Sequence, residues 1–271
     1  MRQEEAYLAF KALHEAKGAF IMPNAWDGLS ALLVKEQGFK AIASSSIAIA
    51  LTKGVKDGAH AVSRADAIAN ATLLTRLSGL PVNGDLEDGF GPSPEDCVLT
   101  VEAAIAGGLA GLGIEDTTAN PANPIHDFDA AVKRIAAAAK AAKGRIFLGG
   151  RTDNYLNGKP DLDDTIRRLT AFAEAGADVL FAPGLPDVET IRKVAKAVSP
   201  KPLNVAVGPG VALSVLEEAG VKRVSTAGAL HRVAMTAARQ SLAALKDGRL
   251  DAAFKGAEPT SAFVKLLPTA P

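Results

Sequence analysis

Three carboxylates and three glycines crowd into eight consecutive residues, Gly84-Asp85-Leu86-Glu87-Asp88-Gly89-Phe90-Gly91. Residues two apart on an extended segment project to the same side, so Asp85 and Glu87 are expected to share a face. Glu115 closes another apolar run, Gly111-Leu112-Gly113-Ile114, and would approach from the neighbouring strand. Three carboxylates converging on one space repel one another unless a cation relieves them. An all-oxygen set suits hard Mg2+, with Mn2+ as an alternative. Glu87 could instead pair with a lysine, and Asp88 and Asp116 read as caps of the helices that follow. Arg151, in Gly150-Arg151-Thr152-Asp153, is the natural counter-ion. Its guanidinium could fork onto a substrate carboxylate or pair with the acidic cluster itself. Ser45 and Ser46 could direct backbone N–H groups at an oxyanion, or could simply be small enough for close packing. Trp26 and Asn204 stand at the ends of two further apolar runs and join the candidate substrate-binding residues. Asp57, in Lys56-Asp57-Gly58, reads on its own as a turn residue.

These groups need a scaffold that brings distant segments to one mouth. The chain repeats a helical segment, a glycine turn and a short apolar run, clearest around Gly38, Gly108, Gly176 and Gly220. Glycine accepts the left-handed conformation just past a helix end. The runs that follow are apolar without alternation, as in parallel strands covered on both faces. Strands are predicted near 19–23, 41–46, 80–86, 111–115, 145–150, 179–183, 202–207 and 223–227. Helices are predicted over Arg64–Leu77, Pro94–Ala106, Asp129–Lys143, Leu162–Ala175 and Val188–Ala197, among others. Eight alternating units with right-handed crossovers fit an α/β (β/α)8 TIM-type barrel. An open doubly wound sheet is disfavoured, because no Gly-x-Gly-x-x-Gly or phosphate-loop pattern follows an early strand. In a barrel the active site lies at the C-terminal strand ends. Asp85, Glu115, Arg151, the serines and Asn204 all fall where apolar runs stop.

The whole chain, 1–271, is expected to form this one barrel, with 248–271 as a helical extension interrupted by Pro259. That extension has no strand to follow, so it is expected to pack on a neighbouring subunit. Lys and Arg together balance Asp and Glu at 30 each, which argues against a broad nucleic-acid footprint. The single cysteine, Cys97, excludes an intrachain disulfide framework and falls on a predicted helix as a small buried residue. No stretch is long and apolar enough to span a bilayer, and no signal-like segment opens the chain. A cytoplasmic protein with no membrane partner is the expectation.

Read together and in order, Pro23-Asn24-Ala25-Trp26-Asp27, Ser44-Ser45-Ser46, Gly54-Val55-Lys56-Asp57, the acidic motif, Gly113-Ile114-Glu115-Asp116 and Gly150-Arg151-Thr152-Asp153 form a specific pattern. With the late Pro202–Val205 and Gly220–Gly228 segments, they resemble the isocitrate lyase/phosphoenolpyruvate mutase superfamily over roughly residues 15–245. The nearest branches are carboxyvinyl-carboxyphosphonate phosphorylmutase and oxaloacetate decarboxylase types. The resemblance implies that Asp85 ligates Mg2+ directly, while Glu87 and Glu115 act largely through metal-bound water. It implies that Ser45 and Ser46 hold an α-oxo carboxylate and that Arg151 binds the substrate carboxylate. Asp57 becomes the loop aspartate that approaches the reacting centre, so Asp57, Arg151 and Glu115 form the catalytic set. It further implies a homodimer or homotetramer that exchanges its last helix between subunits.

The chain departs from the family at the loop after strand four, Thr117–Pro124, which has no lysine and no cysteine. The lyases of isocitrate and methylisocitrate carry a Lys-[Lys/Arg]-Cys-Gly-His sequence there, so their own reaction is not expected. The expected activity is Mg2+-dependent cleavage of a C–C bond next to an α-oxo or 2-hydroxy carboxylate, through a metal-stabilised enolate, releasing pyruvate or a similar α-oxo acid. The alternatives are a phosphonopyruvate-type hydrolase or mutase acting on a C–P bond, and a catalytically inactive barrel that binds a small carboxylate.

Overall fold

Turns after the helices, most of them at a glycine, return the chain to the same end of a growing sheet until the sheet meets itself. In chain order the elements are α1 (Gln3–Glu15), β1 (Phe20–Met22), α2 (Gly28–Glu36), β2 (Ile42–Ala43), α3 (Ser46–Lys53), α4 (Arg64–Ser78), β3 (Val82–Asp85), α5 (Pro94–Ala106), β4 (Gly111–Glu115), α6 (Phe128–Ala142), β5 (Phe147–Arg151), α7 (Leu162–Glu174), β6 (Val179–Phe181), α8 (Val188–Val198), β7 (Leu203–Ala206), α9 (Leu213–Glu218), β8 (Val221–Ser225), α10 (Ala229–Lys246), α11 (Leu250–Ala253) and α12 (Thr260–Val264). The structure is a computed structural model that describes residues 1–206 and 210–268. Val207, at the end of the strand predicted over 202–207, and residues 269–271 of the predicted extension lie outside the described residues.

The eight strands are parallel and ordered β1-β8-β7-β6-β5-β4-β3-β2. An isolated parallel bridge between Asn24 and Ala43 closes β1 against β2. Ala25 N–H donates to the Ala43 carbonyl at 2.8 Å, and Ala43 N–H donates to the Pro23 carbonyl at 2.9 Å. The result is the expected (β/α)8 barrel. Acidic and hydroxyl side chains start most of its helices. Asp27, Ser45, Ser63, Ser93, Asp161 and Asp187 each accept a backbone N–H as an N-cap, a contribution of about 1 kcal/mol apiece.

Strand bounds shift by one to three residues in several places, and two of these shifts bear on the site. The strand predicted over 41–46 stops at Ala43, because Ser45 caps the short helix α3 that starts at Ser46. The strand predicted over 223–227 is shifted two residues back, to Val221–Ser225. It begins directly after the left-handed Gly220 (φ 91°).

One end of the barrel is plugged by α1. Gln3 Nε2 donates to the carbonyls of Leu109 (3.0 Å) and Arg145 (2.8 Å), in the segments that lead into β4 and β5. Phe10 is fully buried beside Met22, Ala43, Ala110, Phe147 and Val179. His14 stacks on Phe147 at 4.1 Å. The opposite, C-terminal end of the strands is therefore the open one. At the chain's end, α11 and α12 flank Pro259, which is the N-cap residue of α12. Leu250, Phe254, Val264 and Leu267 are exposed there. No described helix is long and apolar enough to cross a membrane.

Candidate active site

Alternation along the strands decides which side chains enter the barrel. On β4, Gly113 and Glu115 share the inner parity, and on β5 Gly149 and Arg151 do. Register then places Asp85 beside Gly113, Glu115 beside Arg151, and Arg151 beside Phe181. A cavity of about 480 Å³ opens at this end. Ser45, Ser46, Asp57, Asp85, Arg151 and Asn204 all line it. Residues more than 150 positions apart in sequence thus share one space, as the strand-end pattern predicted.

Helix α3 sets the first corner. Its N-terminus aims the Ser46 N–H at Asp85 Oδ2, 2.9 Å away. The Ser46 hydroxyl donates to Asp57 Oδ2 at 3.4 Å. Ser45 is spent structurally, since its hydroxyl accepts the Ala48 N–H as a cap. Ser44, which the sequence did not single out, accepts the Asp85 N–H on its hydroxyl at 2.8 Å and so fixes the end of β3.

Arg151 occupies the middle of the acidic groups. Its Nη1 lies 3.0 Å from Glu115 and 3.4 Å from Asp85. Its Nε and Nη2 donate to the two oxygens of Asp153 at 2.5 and 2.7 Å. Burial pulls the guanidinium pKa down, but Asp153, Glu115 and Asp85 outweigh it and raise it well above its ordinary value. Of the two readings of Arg151, the ion pair with the site carboxylates is the arrangement present.

The expected convergence of three carboxylates is modified by that guanidinium. Among the described residues, no three acidic, histidine or cysteine side chains close into a cage for a bare ion. Strand β3 ends at Asp85, and Glu87 takes a left-handed backbone (φ 48°), so the two do not continue one extended face. Glu87 and Glu115 instead line a second recess of about 140 Å³ with Asp88, His60 and Thr117. Thr117 Oγ1 donates to Glu115 at 2.7 Å.

The charges nevertheless remain close enough to act on one another. Burial and the Asp85 charge push Asp57 up to about 6. Burial, then Asp57, Asp85 and Asp88, push Glu87 up to about 8. Burial holds Glu115 well above the carboxylate range, with Asp153 and Asp85 adding to it against the pull of Arg151. Carboxyls raised by burial first and by neighbouring carboxylates second mark a site where a cation would be favoured. An oxygen-only donor set standing slightly apart suits a hydrated Mg2+, which keeps several of its waters. Asp85 could hold such an ion directly, with Glu87 and Glu115 reaching its waters.

Three sequence expectations are corrected here. Asp88 and Asp116 cap no helix, because Ser93 and Asp127 occupy the N-cap positions of α5 and α6. Asp88 accepts the Phe90 N–H (2.9 Å) and pairs with His60 (2.7 Å), which shapes the acidic turn. Asp116 accepts from Thr152 Oγ1, the Asp153 N–H and Arg168, and ties β4 to β5. Trp26 is not among the residues lining the cavity. The chain turns into α2 at Asp27, and the indole packs edge-on to His231 with centroids 5.1 Å apart.

The cysteine behaves as expected: Cys97 is fully buried, and burial pushes its thiol up to about 11. Residues missed in sequence include Asn24, Asn83 and Arg223, which also line the cavity. Their signal was present as polar residues inside apolar strand runs, as in Val82-Asn83-Gly84 and Val221-Lys222-Arg223-Val224.

Comparison with known proteins gives a consistent answer. The family model for phosphoenolpyruvate phosphomutase matches residues 10–246. The uncharacterised Mycobacterium tuberculosis protein Rv1998c is 34% identical, over 89% of this chain and 90% of its own. A protein provisionally named 2-methylisocitrate lyase 1, from Corynebacterium glutamicum, is 31% identical over 88% of this chain and 81% of its own. A crystal structure from Burkholderia cenocepacia J2315, of a protein provisionally named a lyase/mutase, superposes with a TM-score of 0.92. It is 41% identical and the match covers 97% of this chain and 95% of that one.

Proposed function

Because the chain belongs to the phosphoenolpyruvate phosphomutase family, within the isocitrate lyase/phosphoenolpyruvate mutase superfamily, we propose that it is a Mg2+-dependent lyase. That superfamily consists of lyases and mutases of oxo acids, so an enzyme of this kind is the starting point. The specific proposal is cleavage of a C–C bond next to an α-oxo or 2-hydroxy carboxylate, releasing pyruvate or a similar α-oxo acid. The observation that carries it is the gathering of Asp85 and Glu115 on one buried guanidinium at the open barrel end, with Asp57 and Glu87 beside them.

Asp85 would hold the cation, and Glu87 and Glu115 would orient its water shell. When bound, Mg2+ supplies Lewis-acid stabilisation of the negative charge that develops as the bond breaks. The chain's own residues do the rest. Arg151 offsets Glu115 and Asp85 and keeps positive charge beside the position where an enolate oxygen forms. The Ser46 N–H and hydroxyl, now on Asp85 and Asp57, face the same cavity and can orient a carboxylate. From a 2-hydroxy acid, a base takes the hydroxyl proton, the oxygen's electron pair forms the C=O of the released α-oxo acid, and the C–C pair passes into the enolate of the other fragment, which then takes up a proton. From an α-oxo acid with a carboxylate on the next carbon, the C–C pair passes into the enolate of the α-oxo acid and CO2 leaves. Asp57, with a pKa raised toward neutrality and a hydrogen bond from Ser46, is placed to exchange the proton that the reaction moves.

The loop after β4 is pinned on itself. Thr118 N–H donates to the Pro124 carbonyl (2.8 Å), and His126 N–H to the Asp116 carbonyl (2.8 Å). It offers no thiol or lysine, so the acid–base work falls to carboxylates. The enzyme would act in the cytoplasm as a homodimer or homotetramer, with the exposed apolar residues of the C-terminal extension exchanged onto a neighbouring subunit.

The test is a panel of 2-hydroxy and α-oxo di- and tricarboxylates, with phosphonopyruvate included, followed for α-oxo acid and for inorganic phosphate. The expected result is α-oxo acid without phosphate. Faster phosphate release from phosphonopyruvate would replace this reading with C–P hydrolysis. No turnover of any compound would leave a carboxylate-binding barrel.

A further inference from the structure

Barrel interiors are ordinarily filled by layers of bulky branched side chains. Here β4 and β5 contribute Gly113 and Gly149 at an inward layer. A Cβ on Gly113 would meet nothing closer than 4.0 Å, and one on Gly149 only ordinary contacts from 3.4 Å. The cavity therefore continues from the mouth down into the barrel, and Arg223 lines it.

Arg223 is 4% exposed and has no carboxylate within ion-pairing distance among the described residues. The other deeply placed arginines are all paired: Arg134 with Asp88, Arg151 with three acids, and Arg168 with Asp116 and Asp164. Arg223 Nε donates to Asn204 Oδ1 at 2.8 Å, and its Nη1 lies 3.4 Å from His14 Nε2. His14 brings no counter-charge. Its pKa is lowered to about 3 by burial and by Arg223, and its Nδ1–H is committed to the Phe10 carbonyl at 2.8 Å. The Phe10 ring lies 5.9 Å from the guanidinium. Burial alone draws Arg223 down to about 9. A buried charge without a partner is costly unless something satisfies it.

We propose that Arg223, held by Asn204, forms a carboxylate-binding subsite inside the barrel, and that its occupant is the far carboxylate of the substrate held at the mouth. The assignment rests on the α-oxo acid reading of that mouth. It makes Arg223 a specificity-determining residue: the substrate's second carboxylate points down the barrel axis, and a monocarboxylate of equal length leaves the guanidinium unpaired. Arg151 is already saturated by Asp85, Glu115 and Asp153. Arg232 also lines the cavity but is exposed, so among the described residues Arg223 is the buried guanidinium left to meet a second anion.

The experiment measures binding in Mg2+ by calorimetry for pairs of matched length, 2-oxobutyrate against oxaloacetate and 2-oxovalerate against 2-oxoglutarate. Wild type is expected to favour at least one dicarboxylate over its partner by about 10-fold or more. Arg223→Gln should bring that ratio close to one, and Arg223→Lys, which keeps the charge, should retain part of it. A wild type without the preference, or a preference unchanged in Arg223→Gln, would overturn the proposal. So would formate that stabilises wild type but not Arg223→Gln without competing with the dicarboxylate, since the occupant would then be a free anion. If Arg223→Gln fails to fold, Arg223→Lys together with Asn204→Ala carries the test through the same ratio. Failure of the lyase reading shows separately, as absence of any Mg2+-dependent binding of either member of a pair.

Discussion

At the scale of single residues, the acidic turn shows how strictly the site is built. Gly89 is left-handed (φ 87°), and a Cβ there would press on Cys97. Gly91 has ordinary dihedral freedom, yet a Cβ on it would overlap the Asp96 carboxylate. That carboxylate accepts the Ser93 N–H (3.0 Å) and hydroxyl (2.8 Å) in the capping box of α5. Gly91→Ala must therefore displace the cap and is expected to cost about 1–2 kcal/mol. A melting-temperature drop of about 2–8 °C measures that loss. An unchanged melting temperature would mean that Asp96 yields freely and the capping argument is wrong. Glu87 and Phe90 hold left-handed φ values without being glycine (48° and 60°), a local strain concentrated beside the carboxylate cluster.

At the scale of elements, α1 is more than a lid on the barrel floor. It carries His14 against Phe147 and beneath Arg223, where burial and the guanidinium hold the imidazole neutral with a pKa near 3. An unfolded histidine titrates near 6.5. Between those values the unfolded chain takes up a proton that the folded chain refuses. Stability from this residue is thus intact above about pH 6.5 and declines as pH falls toward 3, by at most about 1.4 kcal/mol per pH unit. His14→Gln removes the titration, so its stability should fall less steeply than wild type between pH 6.5 and 4.5 in denaturant titrations. Parallel slopes would show that His14 protonates freely in the fold.

Elements were the most legible feature of the sequence. Pro94–Ala106 is the helix as predicted, and Leu162–Glu174 and Val188–Val198 differ from expectation by one residue, because caps and glycines mark their ends. Helix α3 was hidden because Ser44-Ser45-Ser46 reads equally as a strand end and as a cap. Asp85, Ser46, Arg151 and Asn204 were placed at the cavity because strand ends in a barrel share one mouth, and Asp57, a turn residue on its own reading, was added by the resemblance alone. Arg223 was not singled out. A charge within an apolar run has no local signature, and its lack of a carboxylate partner depends on residues distant in sequence. Trp26 was misplaced for the related reason that its direction is set by the turn into α2.

At the scale of the molecule, a formal net charge of zero conceals a steep internal gradient. Asp85, Glu115 and Asp153 surround one guanidinium at the open end, and a second, without a carboxylate partner among the described residues, lies within the barrel. On the proposed reading, such a barrel would receive a cation at its mouth and a carboxylate at its floor. The measurement that tests this most directly is α-oxo acid formation from the best substrate of the panel, by wild type and Asp85→Ala, across an Mg2+ titration with an EDTA arm. The expected result is saturable activation of wild type, its loss in EDTA and recovery with added Mg2+, and a fall of about 100-fold or more in Asp85→Ala. Turnover that persists in EDTA, or that Asp85→Ala leaves at the wild-type level, would contradict the account.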